Sequence, residues 1–293
     1  MERVAVLGLG AMGSRIAGRL LDTGHEVVVW NRSLNKVAPL IARGAIAAST
    51  PRDAAAGNRI LITMLADRNA LQSVSEGPGG IATGAHSGLI VIEMSTVGQP
   101  AIRALASTLR PASLIDSPVL GSISEAESGR LTIFAGGPKD VVDEVEPLLA
   151  TLGSVLRVGT LGAGTAAKLV ANAALLGTLT ILGEAVAIAD ALELSRETTA
   201  AVLASTPLAE QASRRLALLQ AGDFPRRFAL SLARKDADLI LDGAKTGGVS
   251  TPALESVRDW LRVAEADGHG ESDYTAMLAT MLRDRRGQGA QRR

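Results

Sequence analysis

The feature that most constrains this fold is the alternation of short apolar runs with helix-like stretches up to about residue 158. Four runs are continuously apolar: Val4–Leu7, Val27–Trp30, Ile60–Leu65 and Leu89–Met94. Continuous runs of this length are typical of strands that are covered on both faces of a parallel sheet. Further strands are predicted at Ser113–Ile115, Leu131–Ala135 and Val155–Val158, and helices at Met12–Thr23, Leu34–Arg43, Pro100–Leu109 and Asp140–Leu152. This alternation predicts a doubly wound α/β sheet of the Rossmann type.

Beyond Gly164 the pattern becomes helical throughout, beginning with one long segment to about Leu194. Shorter helices are predicted at Arg196–Ser205, Ala209–Ala221, Ala229–Thr246, Pro252–Asp267 and Tyr274–Asp284. The glycine-rich loop Gly159–Gly164 separates the two patterns. We therefore expect a Rossmann domain over residues 1–160 and an all-α second domain over residues 161–293, which suits a chain of this length.

Composition excludes several classes of protein. Of 293 residues, 47% are hydrophobic, and 30 basic side chains balance 30 acidic ones. Zero net charge argues against a partner that is a nucleic acid or a membrane surface, and favours a small-molecule substrate. The chain has no cysteine, and its three histidines lie far apart, so we predict no disulfide and no metal site. A reducing cytoplasm is the expected location.

One segment is apolar enough to raise the question of a membrane. Ala173–Leu192 is long and largely apolar, but Glu184, Asp190 and two glycines interrupt it. A charge at membrane depth is costly, so we predict a core helix instead. The N-terminus runs directly into an apolar strand and lacks the features of a signal peptide. The arginine-rich end, Arg283–Arg293, is predicted to be a solvated tail.

A glycine-rich turn follows the first predicted strand and opens the first predicted helix. Its sequence, Gly8-Leu9-Gly10-Ala11-Met12-Gly13, fits the pattern G-x-G-x-x-G. Gly8 permits a tight turn, Gly10 lets the backbone approach a pyrophosphate, and Gly13 permits close packing of the helix on the sheet. The amide groups that begin the helix then face the phosphates. The alternative is a plain strand–helix turn, but the context predicts dinucleotide binding.

The end of the second strand indicates which dinucleotide is bound. An enzyme that selects NAD usually places a carboxylate there to hold the ribose 2′-hydroxyl. This chain has Asn31-Arg32-Ser33 instead, with Lys36 one helical turn further on. Arg32 can pair with a 2′-phosphate, and Asn31 and Ser33 can donate hydrogen bonds. We therefore predict NADP(H), with NAD(H) the less favoured cofactor and a solvated basic loop the alternative.

A set of motifs in fixed order links these elements to a known family. The set comprises Gly8–Gly13, Gly24-His25-Glu26-Val27, Trp30–Ser33, Met94-Ser95-Thr96-Val97, Asp116–Ser122, Ser128–Thr132, Gly162–Asn172 and Phe228–Asp236. With these motifs the chain resembles the β-hydroxyacid dehydrogenases, which include 3-hydroxyisobutyrate dehydrogenases and glyoxylate/succinic semialdehyde reductases. Imine reductases are relatives of this family. The resemblance spans nearly the whole chain.

The resemblance implies a catalytic role for Lys168 and a substrate-binding role for Asn172. The two residues lie four positions apart, on one face of the long helix. A lysine ammonium can hydrogen-bond a carbonyl oxygen and donate a proton as hydride arrives from the nicotinamide. In the oxidative direction the neutral amine would be the base. Without the family, the alternative for Lys168 is a surface charge.

The resemblance also implies contacts with the nicotinamide half of the cofactor. Leu65 and Ala66 after the third strand, and Thr96 after the fourth, should border it, because strand ends are where such sheets bind ligands. Ser95 is expected to bind substrate, although hydroxyls at strand ends often serve as caps. Lys235 of the second domain should close over the cofactor. Its alternative is an exposed lysine paired with a nearby aspartate.

The substrate motif departs from the family pattern. The usual Pro-Val-Ser-Gly-Gly is Pro118-Val119-Leu120-Gly121-Ser122 here, and Glu125 replaces a usual glycine. The missing serine normally helps to bind the substrate carboxylate, and leucine donates no hydrogen bond. We expect Leu120, Gly121 and Ser122 to line the substrate site, with Ser122 and the backbone of Gly121 supplying the missing donors.

Together these observations predict an NADPH-dependent oxidoreductase that reversibly reduces a small aldehyde or keto acid to its hydroxy acid. Two alternatives stay open: a reductase of less polar ketones or imines, motivated by Leu120, and a non-catalytic NADPH-binding module. Because Ala173–Leu192 is too apolar to leave half exposed, we also predict a homodimer or homotetramer.

Overall fold

The computed structural model describes residues 2–290, with side chains as far as Arg283. The rest of the arginine-rich end that was predicted as a tail, 284–293, lies outside the described side chains. The chain divides into two compact units, Met1–Leu169 and Val170–Arg293.

The first unit is built on a nine-stranded, mostly parallel sheet. In chain order its elements are β1 (Arg3–Leu7), α1 (Ala11–Asp22), β2 (Glu26–Trp30), α2 (Ala38–Ile41), β3 (Ile46–Ala47), α3 (Pro51–Ala56), β4 (Ile60–Thr63), α4 (Arg68–Ser75), α5 (Ile81–Gly84), β5 (Ile90–Glu93), α6 (Gln99–Thr108), β6 (Ser113–Asp116), β7 (Val119–Leu120), α7 (Ile123–Ser128), β8 (Leu131–Gly136), α8 (Lys139–Ala150) and β9 (Gly153–Gly159). The strand order is β3-β2-β1-β4-β5-β6-β8-β7, with β9 paired to β8. This confirms the predicted fold class.

The central strands are covered on both faces. Along β1, Val4 and Val6 belong to one buried apolar cluster, and Ala5 and Leu7 belong to another. Successive side chains of a strand point to opposite faces, so each face of the sheet has its own core. This double burial is the reason that the strand sequences are continuously apolar.

The sequence patterns missed the short elements. Strands β3 and β7 have two residues each, and helices α3, α4, α5 and α7 have four to eight. The helix predicted over Leu34–Arg43 is two pieces: a 3₁₀ turn at Leu34–Lys36 and then α2. Pro39 lies in the first turn of α2, where its missing N–H costs no helical hydrogen bond, so it marks a new start.

The second unit is helical. Helix α9 (Ala163–Ala191) runs across the boundary and is followed by α10 (Arg196–Ala204), α11 (Ala209–Ala221), α12 (Leu230–Thr246), α13 (Pro252–Ala264) and α14 (Met277–Ala290). The helix predicted to continue to Asp267 ends at Ala264, and a π turn follows in which Gly268 has a φ of 92°. Gly183 permits close packing, because a Cβ there would lie 2.6 Å from the sulfur of Met281.

Helix α9 is long and apolar enough to cross a membrane by length and composition alone, a test that the core helix of a soluble protein also passes. Its apolar side chains fall into two groups. Leu179 and Leu182 are buried, whereas Val170, Ile181 and Ile188 are more than half exposed. The predicted burial therefore holds for one face of the helix in the single chain.

Candidate active site

The glycine turn is shaped by steric limits at two of its glycines. A Cβ at Gly8, where φ is 94°, would lie 2.3 Å from the carbonyl oxygen of Met64. A Cβ at Gly13 would lie 1.9 Å from the carbonyl oxygen of Gly8. At Gly10 a Cβ would meet nothing within 4 Å. Gly8 and Gly13 are therefore required by the fold, whereas Gly10 leaves open space in front of the backbone.

That open space lies at the start of α1. Gly10 is the N-cap residue, and no side chain caps the helix there. The first N–H groups of an α-helix have no partner within the helix, and together with the helix dipole they attract an anion. The turn therefore fits the pyrophosphate of a dinucleotide, as the sequence predicts.

Asn31 holds this turn in place from the end of β2. Its Oδ1 accepts a hydrogen bond from the N–H of Leu9 at 2.9 Å, and its Nδ2 donates to the carbonyl of Ser33 at 3.0 Å. Asn31 was predicted to donate to a phosphate, but much of its hydrogen-bonding capacity is used to join two loops. Arg32 is exposed and forms no ion pair among the described residues.

A cavity of about 570 Å³ opens beside the turn. Its lining includes Gly10, Ala11 and the predicted cofactor residue Lys36. Arg15 on the same wall pairs with Glu127 at 3.2 Å. Basic side chains thus lie next to the turn, where they favour an anionic ligand.

Two buried acids end neighbouring strands at the carboxyl edge of the sheet. Glu93 ends β5, Asp116 ends β6, and the two residues are paired in register. Asp116 accepts the N–H of Gly162 at 2.7 Å and the N–H of Thr165 at 2.7 Å, one with each carboxylate oxygen. Burial raises the pKa of the Asp116 carboxyl, and these hydrogen bonds oppose the rise. The Asp116 carboxylate therefore holds the first turn of α9 by accepting hydrogen bonds from the backbone of that turn.

Glu93 holds the loops that follow β4 and β5. Its carboxylate accepts the N–H of Ser95 at 2.6 Å and the hydroxyl of Thr63. Burial raises the pKa of Glu93 to about 7, although hydrogen bonds from Ser95 and Thr63 oppose this rise. The hydroxyl oxygen of Ser95 accepts the N–H of Leu65 at 2.8 Å. Ser95 is 2% exposed and its hydroxyl helps to hold these loops, and its expected contact with substrate stays a prediction.

The sequence analysis assigned no role to Glu93 or Asp116, although Asp116 begins one of the family motifs. An acidic residue at the end of a buried apolar run was the signal that could have found them. The predicted residues Leu65, Ala66 and Thr96 follow β4 and β5 at the same carboxyl edge. Because β2, β1, β4 and β5 are neighbours, this edge brings those residues together with the glycine turn and Asn31.

Lys168 lies on the second turn of α9, three residues after Thr165. It is 9% exposed. The buried position agrees with an inward-facing lysine and not with the alternative of a surface charge. The start of its helix is fixed by Asp116, so the backbone that carries Lys168 is held to the end of β6.

The Leu120–Ser122 turn lies beyond the carboxyl edge of the sheet. Two residues separate β6 from β7. Asp116 is opposite Gly136 of β8, whereas Leu120 is opposite Thr132, so the chain continues along β8 beyond Asp116. Ser122 and Glu125 then form a capping box at the start of α7. Glu125 accepts the hydroxyl of Ser122 at 2.5 Å and its N–H at 2.8 Å, and these bonds lower the pKa of Glu125 to about 2. Both donors of Ser122 are therefore used within the turn, and the expectation that Ser122 binds a substrate carboxylate stays a prediction.

In the second unit, two predicted site residues, Asn172 and Lys235, contact the same acid, Asp236. The Nδ2 of Asn172 donates to Asp236 at 2.7 Å, and the ammonium of Lys235 lies 3.0 Å from the other oxygen of Asp236. The alternative for Lys235, pairing with a nearby aspartate, is thus seen. The Oδ1 of Asn172 is buried without a hydrogen-bond partner among the described residues. Asp236 fixes which way the Asn172 amide faces, a role that sequence reasoning missed.

A Rossmann sheet with an open glycine turn, together with a buried lysine on the following helix, defines a nicotinamide-dependent oxidoreductase. Residues 3–162 match the family model for the NAD binding domain of 6-phosphogluconate dehydrogenase. Residues 162–281 match the model for NAD-binding of NADP-dependent 3-hydroxyisobutyrate dehydrogenase. The chain belongs to the β-hydroxyacid dehydrogenase family, as its motifs indicate.

Individual relatives match over almost their whole length. The 2-(hydroxymethyl)glutarate dehydrogenase of Eubacterium barkeri is 30% identical, over 94% of this chain and 93% of that protein. The 3-sulfolactaldehyde reductase of Escherichia coli is 30% identical, over 95% of each chain. The structure of Mycobacterium tuberculosis 3-hydroxyisobutyrate dehydrogenase with L-serine has a TM-score of 0.83 at 22% identity, covering 96% of this chain and 99% of that one. That structure has the same fold.

Proposed function

We propose that this protein transfers hydride between NADPH and a small carbonyl compound, reversibly reducing an aldehyde or keto acid to its hydroxy form, with Lys168 as the proton donor. The observation that carries the proposal is the burial of Lys168 on a helix whose first turn is fixed by Asp116. A lysine held inside the unit can donate a proton to the carbonyl oxygen of a bound substrate.

The residues of the first unit fit the cofactor. The uncapped start of α1 and the space in front of Gly10 suit the pyrophosphate, and Leu65, Ala66 and Thr96 suit the nicotinamide half. When bound, the nicotinamide supplies or accepts the hydride at C4. In the second unit, Lys235 is proposed to bind the cofactor.

Lys168 and Asn172 act on the substrate in this proposal. The ammonium of Lys168 donates a proton to the carbonyl oxygen and stabilises the negative charge that develops there. In the reverse direction the neutral amine takes the proton from the hydroxyl, which requires the pKa of the lysine to be lowered. The unpartnered Oδ1 of Asn172 offers an acceptor that orients a substrate hydroxyl.

Replacement of Lys168 tests the function. Lys168→Ala should lower kcat by about 10²–10⁴-fold, the usual contribution of general acid–base catalysis, while the Kd for NADPH stays within about threefold. Lys168→Arg should also fail, because guanidinium stays protonated and has a different shape. Asn172→Ala should be milder. Lys139→Ala is the matched control, since Lys139 is an exposed lysine paired with Asp143. Full activity of Lys168→Ala in steady-state kinetics would refute the proposal.

NADPH is proposed as the preferred cofactor because Arg32 is exposed at the end of β2 and no carboxylate stands there. Lys36 lines the adjoining cavity and adds positive charge. Arg32→Asp should weaken NADPH binding at least tenfold in a fluorescence titration, since a charge-assisted contact becomes a repulsion. Equal affinity of the unaltered protein for NADPH and NADH would contradict this preference.

A second candidate is the reduction of less polar ketones or imines. Leu120 offers no hydrogen bond, and both donors of Ser122 are taken by Glu125. A non-catalytic NADPH-binding module is disfavoured by the presence of Lys168 and Asn172. A panel of aldehydes, keto acids and cyclic imines, assayed by NADPH oxidation, separates these candidates.

A homodimer or homotetramer is proposed from the exposed apolar side chains of α9, and a cytoplasmic location from the lack of cysteine in the sequence. Val170 is 73% exposed, and Ile181 and Ile188 are also largely exposed in the single chain. Exposed apolar side chains of this size on one helix are typical of subunit interfaces. Sedimentation velocity should show a dimer or tetramer at micromolar concentration, and a compact monomer would overturn the proposal.

A further inference from the structure

We infer that Glu125 sets the charge of the substrate: the carbonyl compound carries no carboxylate, sulfonate or phosphate at the end that meets the Gly121–Glu125 turn. This inference rests on the proposed function, because it concerns the substrate of that same site. The carboxylate of Glu125 favours uncharged or positively charged substrates over the acids that the family pattern predicts.

The first argument is the use of hydrogen-bond donors. An anionic substrate group needs N–H or O–H donors that can turn towards it. In this turn, the hydroxyl and the backbone N–H of Ser122 both donate to one oxygen of Glu125, and the hydroxyl of Ser124 lies 3.1 Å from the same oxygen. Leu120, which precedes them, has no donor in its side chain. Both donors of Ser122 are thus satisfied by a carboxylate of the turn itself.

The second argument is charge. The hydrogen bonds from Ser122 hold the pKa of Glu125 at about 2, so it is ionised throughout the physiological range. Glu125 forms no ion pair with any residue whose side chain is described. Glu127, two positions further along α7, is different, because Arg15 neutralises it at 3.2 Å. The negative charge of Glu125 therefore repels an approaching anion, as like charges at close range do.

The third argument is position. Strand β7 carries Leu120 past the carboxyl edge of the sheet, which is the side where sheets of this type bind ligands. Helix α7 packs against α1, the helix that the glycine turn opens. Glu125 therefore stands in the half of the unit where the cofactor turn lies. On this inference, the carboxylate of Glu125 acts on what binds next to the dinucleotide.

Three variants separate the effect of the Glu125 charge from the effect of its hydrogen bonds with Ser122. Glu125→Gln keeps the capping box, since glutamine also accepts from the N-cap residue, but removes the charge. Glu125→Ala removes the charge and also frees both donors of Ser122. Glu144→Gln, on α8, is the matched control, because it removes an acidic charge that Arg59 already neutralises.

The substrates are a matched pair: succinic semialdehyde, which carries a carboxylate, and methyl 4-oxobutanoate, its neutral methyl ester. The unaltered protein should have the higher kcat/KM for methyl 4-oxobutanoate. Glu125→Gln should raise kcat/KM for succinic semialdehyde roughly tenfold, in line with the removal of a nearby like charge, and Glu125→Ala should raise it further. Neither variant should change kcat/KM for methyl 4-oxobutanoate more than about threefold, and Glu144→Gln should change kcat/KM for neither substrate.

A binding measurement makes the inference independent of turnover. Butyrate and butyramide differ in charge but little in shape, and calorimetric titration of the NADP-loaded protein should give butyramide the lower Kd. Glu125→Gln should tighten butyrate about tenfold without tightening butyramide. Unchanged Kd ratios, or a preference of the unaltered protein for succinic semialdehyde that Glu125→Gln leaves intact, would overturn the inference while the proposed function stands. Full activity of Lys168→Ala would refute the proposed function and leave the Kd ratios to decide the inference.

Discussion

Two turns of the first unit make an instructive comparison, because each follows a strand and opens a helix. The Gly8–Gly13 turn leaves the start of α1 without a side-chain cap and with open space in front of Gly10. The Gly121–Glu125 turn caps the start of α7 with the carboxylate of Glu125. Helix starts attract anions in both cases. The difference is whether the anion comes from a ligand or from the chain itself.

The start of α9 is a third case, in which the anion comes from a distant part of the sequence. Asp116 lies at the end of β6 and accepts two N–H groups of the α9 start, at Gly162 and Thr165. A carboxylate supplied by the protein holds a helix permanently, whereas an open start is available to a cofactor. The comparison thus assigns a binding role to the first turn and positioning roles to the other two, and four measurements can break or sharpen it.

The largest effect should come from the glycines of the open turn. Gly13→Ala places a Cβ 1.9 Å from the carbonyl oxygen of Gly8, so it should lower the free energy of unfolding by about 3 kcal/mol and abolish NADPH binding. Gly10→Ala meets nothing within 4 Å, so its stability should change by no more than about 1 kcal/mol while NADPH binding weakens at least tenfold. Urea unfolding and NADPH titration give both values. Normal NADPH binding by Gly10→Ala would refute the binding role of this turn.

Glu93 should make the stability of the protein depend on pH. Burial raises its pKa to about 7, so the native state holds a proton there that the unfolded state loses near 4.5. The stabilisation is complete below pH 4.5 and is lost as the pH rises through 7. Between pH 5 and pH 8 the free energy of unfolding relative to Glu93→Gln should fall by about 3 kcal/mol. Urea unfolding of both proteins at several pH values measures this, and a constant difference would contradict it.

The sequence predicts most where the physical constraint is local. The glycine turn is readable because sterics at Gly8 and Gly13 demand it, and the strands because both faces are buried. The Ser122–Glu125 box was also readable, since a serine followed three residues later by a glutamate is a known helix start. By contrast, the roles of Glu93 and Asp116 depend on which strands are neighbours, and no local pattern contains that information. Asp236 is a similar case, because Asn172 reaches it from another helix.

Asp116→Asn should lower kcat about 10²-fold, or about 2.7 kcal/mol, since a small misplacement of a catalytic group has that cost. One amide oxygen can still accept an N–H of α9, but the amide nitrogen faces the other N–H. Hydrogen exchange of residues 160–168 should accelerate, and the Kd for NADPH should change little. Thr50→Ala, which removes the side-chain cap of α3, is the control and should leave kcat unchanged. If Asp116→Asn does not fold, Thr165→Pro deletes one donor in the first turn of α9, where proline is tolerated. Unaltered kcat and exchange would refute the positioning role.

The smallest effect should be the stability contributed by the capped turn itself. The hydrogen bonds from Ser122 lower the pKa of Glu125, so its stabilisation is present above pH 4.5 and is lost as the pH falls towards 2. At pH 7, Glu125→Ala should lower the free energy of unfolding by about 1 kcal/mol, the usual value of a lost helix cap, and Glu125→Gln should lower it less. Urea unfolding at pH 7 and pH 3 measures both. A capping role alone would give Glu125→Gln an almost normal stability and an unchanged substrate preference. A preference that moves while stability stays nearly constant would show that the carboxylate also faces the substrate, and the two turns would then differ in function as well as in geometry.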